Sequence, residues 1–210
     1  MNAVGLSFSA MMPDPAPRPA AEDARPRCPW AAGSAAMIAY HDEEWGTPQH
    51  DDRALFELLT LEGAQAGLSW CTILARREEY RRTFRGFDIA RVAAMTDGEL
   101  ESALRHSGAI RNRLKIYSVR SNAVAASEVI AAHRSLDGWL WSLVGGRQIV
   151  NRWHGSEQVP VRTPLSDAMS KALRKAGFRF VGSTICYAFL QASGMVDDHL
   201  ASCFRARPLA

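Results

Sequence analysis

The apolar side chains of this sequence recur at helical intervals, which leaves little of the chain available for a sheet. Leu55, Leu58 and Leu59 follow the i, i+3, i+4 spacing of an amphipathic helix over Asp51–Leu61. Alternation with a period of two, the mark of strands, is nearly absent. We therefore predict an all-α protein. With 47% hydrophobic and 22% charged residues, the chain can form one domain of two lobes over residues 28–210.

Local signals predict where the other helices lie. Their starts are marked by capping residues, as in the capping box at Thr96, or by the onset of apolar periodicity. Residues 145–163 are expected to be irregular, with short extended pieces. The predicted helices cover Ser69–Phe84, Thr96–His106, Arg111–Ala132, Asp137–Val144, Ser166–Ala176, Gly182–Ser193 and a last segment from Asp197 through Cys203.

The first 27 residues, Met1–Arg27, are rich in proline and alanine and predict a disordered tail. No apolar run approaches the roughly 18 residues that span a membrane, and no secretory signal is recognisable, so we expect a cytoplasmic protein. Four cysteines in such a chain favour metal ligands or core residues over disulfides. The net charge of +3 suits an anionic partner without establishing one.

The segment Leu61–Trp70 places a carboxylate, Glu62, within an apolar run. A buried charge costs several kcal/mol unless it is paired, so Glu62 is either structural or functional. In the structural interpretation it caps backbone amides or meets an arginine. In the functional interpretation it lies among aromatic rings that could sandwich a flat ring, and a cationic ring would gain most. These aromatic residues are Trp30, Tyr40, Trp45 and Trp70.

Two cysteines and two histidines form a possible Cys₂His₂ set, the ligand count of a closed structural zinc site. They are Cys28, His41, His199 and Cys203. The last two are predicted to lie one helical turn apart, on one face of a helix. Such a metal would join the two ends of the domain and leave no position for a catalytic water. Buried thiols and hydrogen-bonded histidines are the alternative. The other cysteines, Cys71 and Cys186, are predicted to be core residues.

A short turn containing Gly108 separates two predicted helices, and basic residues follow it at once. The arrangement resembles a helix-hairpin-helix, which presents backbone N–H groups to a phosphate without reading base sequence. An ordinary turn with solvated arginines is the alternative, because the usual hairpin has two glycines. The candidate DNA-binding residues are Gly108, Arg111, Arg113 and Lys115.

Several segments, in order, resemble the bacterial 3-methyladenine DNA glycosylase I family. Together they cover nearly everything after the tail. They are CPW at 28–30, AYHDEEWG at 39–46, LFELLTLEGAQAGLSW at 55–70, SGAIRNRLKI at 107–116, DAMSKALRKAGFRFVGSTICYAFLQASGMVDDH at 167–199 and the closing Cys203. Met37 stands where a tyrosine is common, and residues 123–163 match weakly.

The resemblance implies a helix-hairpin-helix glycosylase fold with a zinc-stapled terminal region, in which Cys28, His41, His199 and Cys203 hold structural Zn²⁺. It implies that Glu62 contacts the damaged base, and that Tyr40 and Trp70 form its stacking walls. Trp30 and Trp45 would complete the pocket. The hairpin over residues 107–113 would grip the DNA backbone.

The implied activity is hydrolysis of the N-glycosidic bond of 3-methyladenine in double-stranded DNA, by a monomer that leaves an abasic site. We expect a monofunctional enzyme, because Lys115 is interpreted as a phosphate contact and Asp137 as a helix cap. Two alternatives remain at this stage. One is a zinc-stapled module that holds DNA or a methylated base without cleaving it, and the other is a glycosylase that prefers 3-methylguanine or a broader range of alkylated purines.

Overall fold

Ten α-helices, three short 3₁₀ helices and two very short strands make up the regular structure of residues 25–208, the part of the chain that this computed structural model describes. The predicted tail, Met1–Arg27, lies outside the described residues except for its last three. The helices are α1 (Ala35–Glu43), α2 (Asp52–Gln65), α3 (Trp70–Leu74), α4 (Arg77–Thr83), α5 (Ile89–Ala93), α6 (Asp97–His106), α7 (Arg113–His133), α8 (Leu136–Ser142), α9 (Pro164–Lys175) and α10 (Ser183–Ala192). The prediction of a mostly helical protein is confirmed.

Helix α2 is the central element of the fold. It packs against α3, α7, α8 and α10, and every residue from Leu55 to Ala64 is buried. A helix that is enclosed on all sides carries whatever lies on it into the interior. Asp51 caps its start by accepting a hydrogen bond from the Ala54 N–H at 2.8 Å. Glu62 therefore lies in the protein interior, near the C-terminal end of α2.

The C-terminal end of α2 is held by a buried lysine. The Lys115 ammonium donates to the Ala64 carbonyl at 2.8 Å and to the Ala66 carbonyl at 2.6 Å. These carbonyl groups have no partner within the helix, and a cation at a helix C-terminus also interacts favourably with the helix dipole. Burial lowers the pKa of Lys115. The first turn of α7 is thus attached to the segment that carries Glu62.

The predicted helix from Asp197 is wrong. Strand β2 (Val196–Asp197) instead pairs in parallel with β1 (Ile149–Val150), and an isolated bridge joins Trp153 to Leu200. Gly194 makes the turn out of α10 with φ of +67°, and a Cβ there would lie 2.2 Å from the backbone of Thr47. The chain therefore leaves the helix at this glycine and continues extended.

Smaller corrections concern three other segments. The helix predicted over Ser69–Phe84 is broken into α3 and α4, because Arg76 leaves the helical region at φ −106° and ψ 1°. Ser135, not Asp137, caps α8, and its hydroxyl accepts the Gly138 N–H at 3.0 Å. Cys71 lies exposed on α3, so its prediction as a core residue is wrong, whereas the prediction for the other core cysteine, Cys186, is confirmed by its burial.

Candidate functional site

A cavity of about 410 Å³ opens beside the C-terminal half of α2. The structure brings all five predicted pocket residues to its wall and adds one carboxylate that the sequence analysis did not single out. The predicted members are Trp30, Tyr40, Trp45, Glu62 and Trp70, and the added one is Asp198. Residues far apart in the sequence therefore meet around a space of the size that holds a small ligand.

Two capped helix starts position the aromatic wall. Ser34 caps α1 by accepting the Met37 N–H at 3.2 Å, and this helix carries Tyr40 into the cavity. Ser69 caps α3 in the same way, and Trp70 is the first residue of that helix. The rings of Tyr40 and Trp70 lie 5.1 Å apart between centroids, at 48° to each other. Their polar edges and apolar faces both border the cavity wall.

Further aromatic contacts fix the outer part of this wall. The Trp30 ring meets the Trp45 ring edge-on at 4.9 Å and the Tyr40 ring at 6.3 Å, again edge-on. Met37 also lines the cavity, at the position where the family pattern commonly has tyrosine. The wall on this side is a connected set of rings with one thioether.

Glu62 is 4% exposed and no side chain or backbone group of residues 25–208 hydrogen-bonds its carboxyl group. The structural interpretation, a cap or an arginine pair, therefore does not hold for the described residues. Burial raises the pKa of Glu62 to about 8, so its protonated form predominates at neutral pH while the cavity is empty. Glu62 is therefore a neutral carboxyl group without a hydrogen-bond partner among the described residues.

Three buried polar atoms around this cavity have no hydrogen-bond partner among the described residues. They are Glu62 Oε2, the Tyr40 hydroxyl and Trp70 Nε1. Each such group costs roughly 1–3 kcal/mol, and native proteins contain few of them. Burial, with a smaller effect from Glu62, raises the pKa of Tyr40 well above its ordinary value, so its hydroxyl remains a donor. Three unsatisfied groups in one place indicate a ligand site.

Asp198 is the carboxylate that sequence reasoning missed. It is 1% exposed and accepts four hydrogen bonds, two from the segment around β1 and two from α10. Its donors are therefore 7 to 47 residues away in the chain. Asp198 itself lies in the matching segment 167–199, but two of its donors, Asn151 and Trp153, lie in residues 123–163, where the resemblance was weak.

The candidate metal ligands also converge. The ligand atoms of Cys28, His41 and Cys203 all lie within 4.8 Å of one another, and all three residues are buried. His199 lies beside them, with its ring centroid 5.1 Å from that of His41. Burial raises the pKa of Cys28 to about 12.

Carboxylates orient both histidines toward this cluster. His41 Nδ1 lies 2.7 Å from Asp42 Oδ1, and His199 Nδ1 lies 2.8 Å from Asp197 Oδ1. Each ring therefore turns its Nε2 toward the cluster: His41 Nε2 accepts the Cys28 N–H at 3.4 Å and lies 3.4 Å from Cys203 Sγ. His199 Nε2 is buried and has no partner among the described residues. A carboxylate behind a histidine is the usual support for a metal-binding imidazole. The donor set fits a tetrahedral Zn²⁺ site.

The hairpin turn lies between α6 and α7, as predicted. Gly108 is packed so closely that a Cβ would lie 2.5 Å from Glu79 Cγ, and its carbonyl accepts from Arg76 at 2.6 Å. A second backbone group of the turn also has a partner, because the Ile110 N–H donates to the Tyr80 hydroxyl at 3.2 Å. The turn is thus fixed to α4, and part of its backbone already has protein partners.

The basic residues of the hairpin do not share one environment. Arg111 is exposed, and no ion pair involves it within residues 25–208. Arg113 is 61% exposed, pairs with Glu101 and lies over the Tyr117 ring at 4.7 Å. Lys115 is only 8% exposed and its ammonium is occupied by the carbonyls at the end of α2. The prediction of Lys115 as a phosphate contact does not fit this placement.

Asp137 lies far from the cavity. Its backbone N–H donates to Asp52 at the start of α2, at 2.7 Å, and its carboxylate pairs with His50 at 2.9 Å. Glu62 is ten residues further along that helix, which corresponds to about 15 Å at 1.5 Å per residue. The structure gives Asp137 contacts at the helix start, in agreement with a structural role.

Fold and site together define a mostly helical protein with a partly open, aromatic-lined cavity, in whose wall a buried carboxyl group has no partner among the described residues. Within the described range, no helix is both long enough and apolar enough to cross a membrane. The chain belongs to the methyladenine glycosylase family, whose model matches residues 30–206. The family resemblance found in the sequence is thereby confirmed.

Individual relatives agree with this assignment. DNA-3-methyladenine glycosylase of Haemophilus influenzae is 45% identical over 177 residues, which cover 84% of this chain and 96% of the relative. A crystal structure of 3-methyladenine DNA glycosylase I is 46% identical, covers 87% of this chain and 100% of its own, and gives a TM-score of 0.84. A variant of such an enzyme, solved in complex with 3-methyladenine, is 30% identical. The match covers 88% of this chain and 99% of the variant, with a TM-score of 0.84.

Proposed function

We propose that this protein is a DNA-repair glycosylase that hydrolyses the N-glycosidic bond of 3-methyladenine in double-stranded DNA. The observation that carries the proposal is Glu62, buried and unpartnered in an aromatic cavity. A protein that only clamps DNA has no need of such a group, because stranding it costs stability. The names of its relatives, and the complex of one of them with 3-methyladenine, support the same substrate.

The cavity suits a flat base with a positive charge. Methylation at N3 makes adenine cationic within the nucleotide, and the base must leave the DNA stack to enter, at a cost of a few kcal/mol. Tyr40 and Trp70 would lie against its faces, and Glu62 would accept a hydrogen bond from its exocyclic amine. A cation in the cavity favours the ionised form of Glu62. Aromatic faces add cation–π attraction.

In the proposed reaction the bond between C1′ and N9 breaks, and its electron pair remains on the base. The cationic base therefore leaves as a neutral molecule. A water oxygen forms the new bond to C1′ and releases its proton to solvent, so the products are free base and an abasic site. The methyl group has already made the base a good leaving group, and the protein mainly has to hold and orient it.

We propose a monofunctional enzyme, without strand cleavage. Cleavage through a Schiff base needs an amine nucleophile at C1′. The chain has three lysines, and none of them lines the cavity. Lys115 is the nearest in the fold to Glu62 by its contact with α2, and its ammonium is occupied by two carbonyls.

The proposed DNA contacts are Gly108, Arg111 and Arg113 of the hairpin, which would bind the phosphate backbone. Lys115 is not among them, for the reasons given above. We also propose that the protein acts as a monomer. The proposed DNA substrate supports the expected cytoplasmic location.

We propose that Cys28, His41, His199 and Cys203 hold one structural Zn²⁺. When bound, the ion would supply only cross-linking chemistry, since four protein ligands leave no place for water. The residues that would hold it come from the start of the described chain, from α1 and from the segment after β2. Trp45 stacks beside His41, with ring centroids 6.3 Å apart, so the metal site and the cavity wall are adjacent.

The test is release of free base from methylated duplex DNA, resolved by chromatography, with wild type, Glu62→Ala and Asp137→Asn compared. We expect release of 3-methyladenine by the wild type, and a loss of at least a hundredfold in rate for Glu62→Ala. Asp137→Asn is the matched control, since that carboxylate lies about 15 Å along α2 from Glu62. A wild type that binds lesion DNA without releasing any base would replace this proposal with a binding module.

A further inference from the structure

The cavity has a second carboxyl group in its wall, and its environment is opposite to that of Glu62. Asp198 Oδ1 accepts from the Asn151 amide at 2.8 Å and from Trp153 Nε1 at 2.7 Å. Its Oδ2 accepts from the Tyr187 hydroxyl at 2.5 Å and from the Gln191 amide at 2.7 Å. All four partners donate, so the group acts only as an acceptor, which is the hydrogen-bonding pattern of an ionised carboxylate.

Neutral side chains alone hold this carboxylate. All four donors are neutral groups, and no lysine, arginine or histidine of residues 25–208 forms an ion pair with Asp198. The arginines at the end of the described chain have other partners. Arg207 pairs with Asp197, and Arg205 donates to the Thr47 hydroxyl. A buried charge is usually paired with an opposite charge, so this one lacks its expected counterpart.

The cavity wall therefore contains two carboxyl groups with opposite tendencies. Glu62 has no donor and full burial favours its neutral form, whereas Asp198 has four donors. The two carboxyl groups therefore differ in how fully their hydrogen-bonding capacity is met, and only Asp198 is surrounded by donors.

We propose that Asp198 supplies the fixed negative charge by which this cavity selects a cationic base over a neutral base of the same shape. The proposal rests on the proposed function and adds to it a specificity-determining residue. It explains why a buried carboxylate has four neutral donors and no basic side chain paired with it: the cationic ligand would supply the opposite charge. Normal adenine, which is neutral, would gain nothing from this charge.

A purely structural role is the competing explanation. The four hydrogen bonds join the segment around β1 to α10, and any acceptor in this place would serve that purpose. The two explanations differ in what they predict for charge. A structural acceptor affects cationic and neutral ligands equally, whereas a fixed charge affects only the cation.

The experiment compares two small ligands of nearly identical shape. One is 3,9-dimethyladeninium, which has a positive charge at neutral pH, and the other is its neutral isostere with carbon in place of N3. Binding is followed by quenching of the tryptophans in the cavity wall, with zinc content and circular dichroism measured for each protein. Wild type, Asp198→Asn and Tyr187→Phe are compared. Tyr187→Phe is the control, because it removes one hydrogen bond to Asp198 and keeps the charge.

We expect the wild type to prefer the cation, and Asp198→Asn to lose about tenfold of that preference. The neutral ligand should bind both proteins within twofold, and Tyr187→Phe should keep the wild-type preference. The asparagine can be accommodated, because the Gln191 amide can flip and the Tyr187 hydroxyl can turn to accept. A wild type that binds both ligands equally, or neither, overturns the proposal, and so does an Asp198→Asn protein with undiminished preference.

A double variant, Asp198→Asn with Gln191→Glu, tests charge separately from position. It moves the negative charge to the neighbouring cavity residue and leaves the new amide with an acceptor. We expect the double variant to regain preference for the cation. A folded double variant without this preference contradicts the proposal, and this test remains valid if Asp198→Asn alone does not fold. Failure of the proposed function looks different, since the wild type would then release no 3-methyladenine from methylated DNA.

Discussion

Replacing Glu62 with glutamine should stabilise the protein, and increasingly so as the pH rises. In the folded state burial raises the pKa of Glu62 from its ordinary value of 4.5 to about 8. The unfolded chain releases this proton near pH 4.5, while the folded protein retains it up to about pH 8. Unfolding therefore releases a proton throughout this interval, and a rise in pH favours the unfolded state. Glutamine at this position has no proton to release.

The size of the effect follows from the difference in pKa. A shift of about 3.5 units, at about 1.36 kcal/mol per unit, corresponds to an upper limit on the order of 5 kcal/mol at pH 9. At pH 5 the effect is below about 1 kcal/mol, and at pH 7 it is about 3 kcal/mol. This is a large fraction of the stability of an ordinary domain. The burial of Glu62 thus lowers the free energy of unfolding at neutral and alkaline pH.

Urea unfolding at pH 5, 7 and 9, followed by tryptophan fluorescence, measures this dependence. Other groups titrate equally in wild type and Glu62→Gln, so the difference between their free energies of unfolding isolates Glu62. The contrasting control is Glu57 on the same helix, which pairs with Arg77 and Arg81. Glu57→Gln should lower the free energy of unfolding by roughly 1–3 kcal/mol at pH 7. A difference between wild type and Glu62→Gln that stays constant from pH 5 to 9 would refute the reasoning.

Four further predictions concern other parts of the molecule. Lys115→Met should lower the free energy of unfolding by roughly 2–4 kcal/mol, because two carbonyls lose their donor. Borohydride should trap no covalent DNA complex with the wild type, and a trapped complex would contradict a monofunctional enzyme. Arg111→Ala and Arg113→Ala should each weaken binding to undamaged and damaged DNA alike and reduce the slope of log affinity against log salt by about 1, whereas an unchanged slope argues against phosphate contacts. Purified protein should contain one zinc per chain. Cys203→Ser should lose the metal and lower Tm by roughly 5–10 °C. A wild-type protein that is as stable without zinc as with it would refute the zinc proposal.

Local signals in the sequence were sufficient where the physical cause is also local. The capping box at Thr96 was predicted from neighbouring residues alone. Helix α2 was predicted from the spacing of its leucines. Its capping residue is Asp51, where the predicted helix begins. In each case the stabilising contact lies within one turn of the residue that signals it.

Contacts between distant segments account for what could not be predicted. Strand β2 forms because a segment 47 residues earlier offers it a partner, and two residues are too few to show alternation. Lys115 was interpreted as a phosphate contact because its partners, the carbonyls of Ala64 and Ala66, lie about fifty residues upstream. Asp198 was missed for the same reason. The aromatic set around Glu62 was found because residue type and burial were enough to suggest it.

The meeting of the two ends of the domain affects how the protein is made. The Phe204 N–H donates to the Pro26 carbonyl at 2.8 Å, and Cys28 lies with Cys203 in one buried cluster. A ribosome delivers the first of these partners well before the second. The nascent chain can assemble α2 through α9 early, but Trp45 gains its contact with the His199 ring only once the segment after β2 has been made. Until then a ribosome-bound chain would have most of a core and an unfinished cavity.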